Sequence, residues 1–473
     1  MSSPDLPDAP SPLDRARTKA YRRLLPLLFL CYVIAYVDRN NLSIAIETMQ
    51  QDMPAFNKDV LGTGAGIFFI GYFLLEIPGT ILVEKWSARK WISRIMISWG
   101  IVAALMATVK TPFQFYSLRF ILGLAEAGFF PGVIVYLTHW FPSRDRSRAL
   151  SWFFIGTPVA QALSPLISYP LLAIGTRVKP DGTMISIPEA PGLHGWQWVY
   201  IAWGIPAIVL GFFVLCLLTD RPKQAKWLDP DERDALEAEL AREKAEHIGG
   251  GHMTLGTALR NPKVLVLAAA YFFIVTGNYG VEFFLPSILG EWYKLTNFQK
   301  MWLLTVPAAG SLLGQLFIGW SSDRTKERRA HAAIPIYIGA AALALTVVNR
   351  HPLPAMMVLF TLAAAGLKAY LPAFWSLPSL FLTSTAAAGS IGLINSVGNL
   401  GGFVGPKAMG WLNEAMKARV KSGALPSDFN TYMPGILFLC VSITISATII
   451  MWLPLGRRLP KAERLEAALA ERG

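Results

Sequence analysis

Five ionisable residues stand inside long apolar runs of this sequence: Asp38, Arg39, Arg119, Glu126 and Lys368. A charge at the centre of a bilayer costs about 2.5–3.5 kcal/mol on insertion scales, so a chain that keeps several must use them. Arginine presents a planar fork of N–H donors that grips a carboxylate bidentately. A carboxyl group among apolar neighbours can take up and release a proton. Such a set could hold an organic anion and couple it to a proton: ionised, Asp38 and Glu126 occupy the cations; protonated, they release them to the anion.

Helical spacing limits which of these can meet. Asp38 and Arg39 are sequence neighbours and point about 100° apart on a helix, so each must find partners elsewhere. Arg119 and Glu126 lie two turns apart, roughly 10 Å along one face; they can line one cavity at different depths without touching. The plainer alternative is a static network in which Asp38 or Glu126 neutralises Arg119, although buried pairs stabilise less than apolar packing. Lys368 has two readings, a second cation facing Arg39 or a salt bridge to Glu282 or Asp38. Snorkelling is disfavoured by its distance from either end of its run. Glu76 and Glu282, nearer the run ends, rank below Glu126 as gate or structural acids.

Polar and aromatic residues at similar depth complete a candidate pocket: Tyr36, Tyr72, Gln161, Asn278, Tyr279, Trp375, Ser376, Asn395 and Asn399. Asn and Tyr satisfy hydroxyls, and Trp375 can stack on a sugar-like or aromatic face. Asn395 and Asn399, four apart, share a face and could equally bond helix to helix.

The elements that position these residues follow from composition. The chain has 473 residues, 53% of them hydrophobic and 16% charged, with 15 Trp and 27 Phe, more apolar material than a soluble core needs. Runs of about 20 apolar residues predict twelve membrane spans, at 24–46, 61–83, 91–109, 113–137, 149–174, 198–219, 263–289, 301–322, 331–349, 353–382, 386–412 and 432–456. The net charge of +12 lies in short loops rather than on one face, which speaks against nucleic acid. Lys and Arg number 29 in the loops on the side of the N-terminus, counting Arg94 and Lys263 at the adjoining span ends, and 10 on the other. The positive-inside rule then makes both termini cytoplasmic. Residues 1–23 lead into the first span with no small-residue cleavage site, so that span is expected to stay as an anchor.

Residues 220–262 read as a charged cytoplasmic linker with a helical DPDERDALEAELAREKAE stretch. The expected organisation is a tail (1–23), a six-helix bundle (24–219), the linker, a second six-helix bundle (263–456) and a tail (457–473). After span two, Glu84 to Lys90 runs acid, base, three residues, two bases; Asp323 to Arg329 repeats this after span eight. Two six-helix parallel repeats with a midplane site are a transporter architecture.

The motifs YVDRNNLSIA in span one, EKWSARK after span two, RFILGLAEAGFFPG in span four, HGWQWVYIAWGIPAIVLG entering span six and GLINSVGNLGGFVGP in span eleven resemble the major facilitator superfamily and, within it, the anion:cation symporter family, a resemblance that covers all twelve spans. Thr80 and Ser87 stand where the superfamily loop favours glycine, and Glu84 replaces its usual aspartate. The resemblance implies an all-α fold of two pseudo-symmetric bundles in a bacterial-type inner membrane, usually monomeric, importing a small organic anion with protons by alternating access. It implies that Arg39 holds the substrate carboxylate, that Asp38 and Glu126 carry protons with Arg119 tuning Glu126, and that Asn395 is a ligand. It also implies a cytoplasmic gate of Glu84 with Arg89 and Asp323 with Arg324.

Enzymes are disfavoured. The histidines at 139, 194, 247, 252, 331 and 351 lie in loops or at span ends without a metal or nucleophile pattern. Cys31, Cys216 and Cys440 sit in apolar runs at no motif spacing and read as packing residues. No cofactor is expected beyond the coupling proton. An uncoupled carrier or a sensor on the same fold stays open.

Overall fold

A computed structural model describes residues 11–142, 145, 149, 152–178, 184–187, 192–247, 260–325, 327–348, 352–377 and 384–453. They are almost wholly helical. The exception is an antiparallel hairpin of β1 (Thr176–Val178) and β2 (Met184–Ser186), with Thr176 facing Ser186.

The first bundle contains α1 (Pro12–Asp52), α2 (Lys58–Lys85), α3 (Ala88–Leu105), α4 (Pro112–Glu126), α5 (Phe129–Thr138), α6 (Gly156–Leu172) and α7 (Gly195–Leu217). Helix α8 (Pro230–His247) follows, within the stretch read as a linker. The second bundle contains α9 (Pro262–Tyr293), α10 (Asn297–Leu303), α11 (Thr305–Thr325), α12 (Arg329–Val348), α13 (Leu353–Ala369), α14 (Leu371–Ser376), α15 (Ser384–Asn399), α16 (Gly401–Lys421) and α17 (Met433–Trp452). Several starts are set locally. Ser11, Asn57, Thr111 and Asn261 each cap a helix with a side-chain oxygen, and a proline follows at the first turn in α1, α4 and α9, where its missing N–H costs nothing.

The bundles repeat one neighbour pattern. Helix α3 packs on α7 as α12 packs on α17, and α2 packs on α4 as α11 packs on α13. The halves meet through α2 against α16, α6 against α11 and α1 against α9. At the α2–α16 seam a Cβ on Gly62 would lie 2.6 Å from the Pro406 carbonyl oxygen, so only glycine permits this approach.

Ten segments among the described residues are long and apolar enough to cross a membrane. The runs read at 149–174 and 386–412 are α6 and the pair α15–α16, which divides at Leu400. The helices α6 and α15 are 17 and 16 residues long, short of the roughly 20 residues of a full crossing.

Two runs expected to be continuous are broken. The fourth divides after Glu126, where Gly128 has φ +83°, a left-handed conformation that a Cβ disfavours. The tenth divides at Tyr370, just before Pro372. Each break falls beside an ionisable residue: Glu126 ends α4, and Lys368 is in the last turn of α13. Of the cysteines, Cys31 and Cys440 are buried but Cys216 is exposed on α7, which corrects the packing role expected for it.

Helix α1 is 41 residues long, about 60 Å, twice a bilayer core. Its basic first turns are held by α8: Lys19 bonds Asp229 at 2.9 Å and Glu232 at 2.7 Å, and Arg15 bonds Asp231 at 2.6 Å.

Candidate functional site

One face of α1 lines the cavity between the bundles: Tyr32, Tyr36, Arg39, Asn40 and Ser43, a stripe at helical spacing. Arg39 lies at its centre. A chamber of about 510 Å³ there is lined by Tyr36, Arg39, Tyr72, Tyr279, Trp375, Asn395 and Asn399 among others. The structure thus brings six of the expected pocket residues together around the guanidinium.

The Arg39 Nε donates to Glu126 Oε1 at 2.7 Å, and its Nη2 donates to the same oxygen. Nη1 donates to the Tyr279 hydroxyl of the opposite bundle at 3.1 Å. The guanidinium carbon is 5.3 Å from the ring centres of both Tyr36 and Tyr72 and 5.8 Å from that of Phe68, an arrangement in which ring faces stabilise the cation. Glu126 is fully buried, and its second oxygen, Oε2, has no hydrogen-bond partner. Because Glu126 ends α4, the partial negative charge of the helix terminus opposes its own, and Arg39 supplies the balance.

The arrangement corrects one expectation. The ion-pair partner of Glu126 is Arg39, and Arg119, two turns away, does not touch Glu126: it donates to the Gly64 carbonyl at 3.0 Å and stacks on Phe68 at 5.0 Å. Asp38 occupies neither cation. It points away from the stripe, as a neighbour of Arg39 must, and accepts from Trp99 Nε1 at 2.9 Å and Asn41 Nδ2 at 3.0 Å inside the first bundle. Neither acid therefore forms an ion pair with Arg119, and the static network has no member there.

A second chamber, of about 670 Å³, adjoins the first and is lined by Asn40, Ser43, Gln161, Ser164, Asn278, Glu282 and Lys368 among others. Gln161, Asn278 and Lys368 belong here rather than with Arg39. Lys368 is buried and pairs with Glu282 at 2.6 Å, one of the two readings its position allowed. Gln161 of the first bundle donates to the same carboxylate at 2.6 Å. The Ser164 hydroxyl is fully buried with no hydrogen-bond partner.

Glu76, ranked low for lying near a run end, is fully buried and accepts from Asn395 Nδ2 across the bundles. Its signal was present in the sequence: it follows Tyr72 by one helical turn and so shares its face. Asn395 is at once an interhelical bond and a chamber wall.

The side chains of Glu84, Asp323 and Ser376, all expected at the site or gate, lie outside the described residues. The Arg89 backbone N–H donates to Asp220 at 2.8 Å within its own bundle, and Arg324 stacks on Trp320. Neither bridges the halves. The ion pairs that do are elsewhere. At the end where α1 finishes, Lys58 bonds Glu291 and Tyr432, Lys300 bonds Glu47, and Lys407 bonds Asp59 at 2.7 Å. Among the described residues, the end where α1 begins has no ion pair between bundles.

Two repeated bundles, a central cavity with polar walls and, among the described residues, ion pairs between the bundles at one end are the anatomy of a secondary transporter. The sequence matches the Major Facilitator Superfamily over residues 28–406 and 267–470; the chain belongs to that superfamily and is a transporter, not an enzyme. It is 37% identical to a protein of Agrobacterium vitis named "Putative tartrate transporter", over 96% of this chain and 94% of that one. It is equally 37% identical to a quinolone resistance transporter of Acinetobacter baumannii, over 85% and 89%. A solved bacterial homologue of the human lysosomal transporter Spinster, inward-facing and unoccupied, superposes with a TM-score of 0.69 over 92% of this chain and 96% of that one. At 17% identity that likeness concerns the fold. The relatives are consistent with the organic-anion transporters of the superfamily.

Proposed function

We propose that this chain imports a small organic anion, a hydroxylated sugar acid or hydroxy-dicarboxylate, together with protons by alternating access. The observation that carries the proposal is the Arg39 fork closed on one oxygen of Glu126 while Oε2 stays unpaired. A proton on Glu126 removes the charge that holds the guanidinium, and the fork is then free for a substrate carboxylate of the same planar geometry. Tyr279 and Asn395 link the substrate region to the second bundle, so occupancy can be felt by both halves.

The loop charges favour a cytoplasmic start for α1. The ion pairs at its other end then close the external side, giving an inward-facing state in a multi-pass bacterial plasma-membrane protein that works as a monomer. Arg89 and Arg324, with Glu84 and Asp323, would engage when the cytoplasmic side closes instead. Asp38 remains a second proton carrier acting inside its bundle, at a distance from Arg39's ligand. The tyrosine and tryptophan faces around Arg39 also suit an aromatic carboxylate, and the resemblance to a quinolone resistance transporter makes that the second reading.

The test is uptake of labelled tartrate and gluconate into proteoliposomes with and without an alkaline interior. A symporter accumulates one of them only with the gradient. A uniporter is indifferent to it, and a sensor moves neither.

A further inference from the structure

Among the described residues, each bundle places a cation–carboxylate pair beside the cavity, and the two pairs are built in reverse. In the first bundle the cation, Arg39, is on the first pass and the acid, Glu126, ends the broken fourth pass. In the second bundle the acid, Glu282, is on the first pass and the cation, Lys368, is in the last turn before the break of the fourth. The repeated neighbour pattern makes these passes equivalent. Both cations also flank one ring: the Arg39 guanidinium carbon lies 5.3 Å and the Lys368 Nζ 5.6 Å from the centre of Tyr36. Glu282 lines the second chamber and also the smaller cavity that Arg39 lines. Glu282 is therefore a wall shared by the spaces that the two cations line.

We infer that Lys368 is a second anion anchor and that the transported substrate is a short dicarboxylate spanning the two bundles, one carboxylate on Arg39 and one on Lys368. This rests on the organic-anion, proton-coupled reading above. Glu282 holds the place of the second carboxylate in the empty protein, as Glu126 holds that of the first. Gln161 and the orphaned Ser164 hydroxyl line the same chamber and suit the hydroxyls of a hydroxy acid.

Charge balance gives the stoichiometry. A dianion that displaces both acids leaves two buried carboxylates without cations, and each costs several kcal/mol unless protonated. Two protons enter from water, one to Glu126 and one to Glu282, and the loaded site keeps the net charge of the empty one. The groups around Glu282 are Lys368, Gln161 and the hydroxyls of Tyr36, Tyr279 and Tyr370; Lys368 is the cation among them.

The experiment compares binding of diacids (tartrate, galactarate) and matched monoacids (glycerate, galactonate) to purified protein, with protons counted by an indicator dye. Removing Lys368 alone would strand Glu282, so the variant is Lys368→Met with Glu282→Gln, which removes both partners and leaves no buried charge. Wild type should prefer one diacid to its monoacid at least tenfold and take up two protons per molecule bound. The double variant should lose that preference while keeping monoacid affinity, and take up one. A double variant that keeps the diacid preference, or a wild type that takes up one proton per diacid or holds both acids equally, overturns the inference while the organic-anion reading stands. Wild type that binds neither kind of acid overturns both.

Discussion

Arg39 and Glu126 meet through a single oxygen: two guanidinium donors of α1 fall on Oε1 at the end of α4, and Oε2 of the same buried carboxylate accepts nothing. An unpaired buried acceptor costs about 1–3 kcal/mol.

Replacing Glu126 by Gln fixes the neutral form. The Glu126→Gln protein should exchange labelled for unlabelled substrate across proteoliposomes at near wild-type rates but fail to accumulate it with an alkaline interior. Unaltered accumulation would move the coupling proton to another group.

Lysine keeps the charge of Arg39 but not the fork. Arg39→Lys should lose one charge-assisted bond to the substrate carboxylate, worth about 1.5–3 kcal/mol, and so weaken affinity at least roughly tenfold. Calorimetric titration of the purified variant checks this, and wild-type affinity would contradict the assignment.

The far end is held by Lys58, Lys300 and Lys407 on acids whose side chains remain 34–40% exposed. Partial exposure screens such pairs to on the order of 1 kcal/mol each. Changing all three lysines to Ala should then raise the population open at that end by roughly a hundredfold. Spin-label distances between the far ends of α2 and α9 should lengthen; an unchanged distribution would mean that the apolar α2–α16 seam holds closure by itself.

Gly128 combines φ +83° with a backbone neighbour, Gly79, only 3.2 Å from where a Cβ would stand. Gly128→Ala should cost more than the order of 1–3 kcal/mol of conformational strain alone and lower the melting temperature. It should also weaken anion binding by displacing Glu126. Gly423→Ala, with φ +76° and open space around it, isolates the strain and should melt closer to wild type.

The α1–α8 contact titrates. The Lys19 ammonium holds Asp229 below the ordinary carboxylate range. Burial pushes Glu232 up, but Lys19, the Asp229 N–H and Arg15 together hold it below its usual value. A carboxyl lower in the folded state stabilises fully above its unfolded value, about 4, and that contribution disappears as pH falls through the folded value. Relative to the intrinsic rate at each pH, amide exchange in α8 should be slow at pH 7 and fast near pH 3, whereas Lys19→Ala should be fast at both. Slow exchange of that variant at pH 7 would mean that α8 is held by other contacts.

Much of the fold was legible in the sequence because apolar length is a local property: α1, α3, α7, α9, α12 and α17 each carry their own hydropathy. The passes at 149–174 and 386–412 were legible from their apolar runs too, although the described helices α6 and α15 there are shorter. The helix breaks beside Glu126 and Lys368 were not, because glycine and proline also occur inside continuous membrane helices.

At the site, the sequence by itself determined that Arg39 must find partners away from Asp38, because adjacent helical residues diverge by about 100°. It also placed Tyr36, Tyr72, Tyr279, Trp375, Asn395 and Asn399 among the candidates that prove to surround the guanidinium. Only the tertiary structure decided who pairs with whom: Glu126 on Arg39, Trp99 on Asp38, Glu282 on Lys368 and Asn395 on Glu76. Those contacts join residues 61 to 319 positions apart, and their geometry depends on how separate helices rotate and break against one another, which no local spacing encodes.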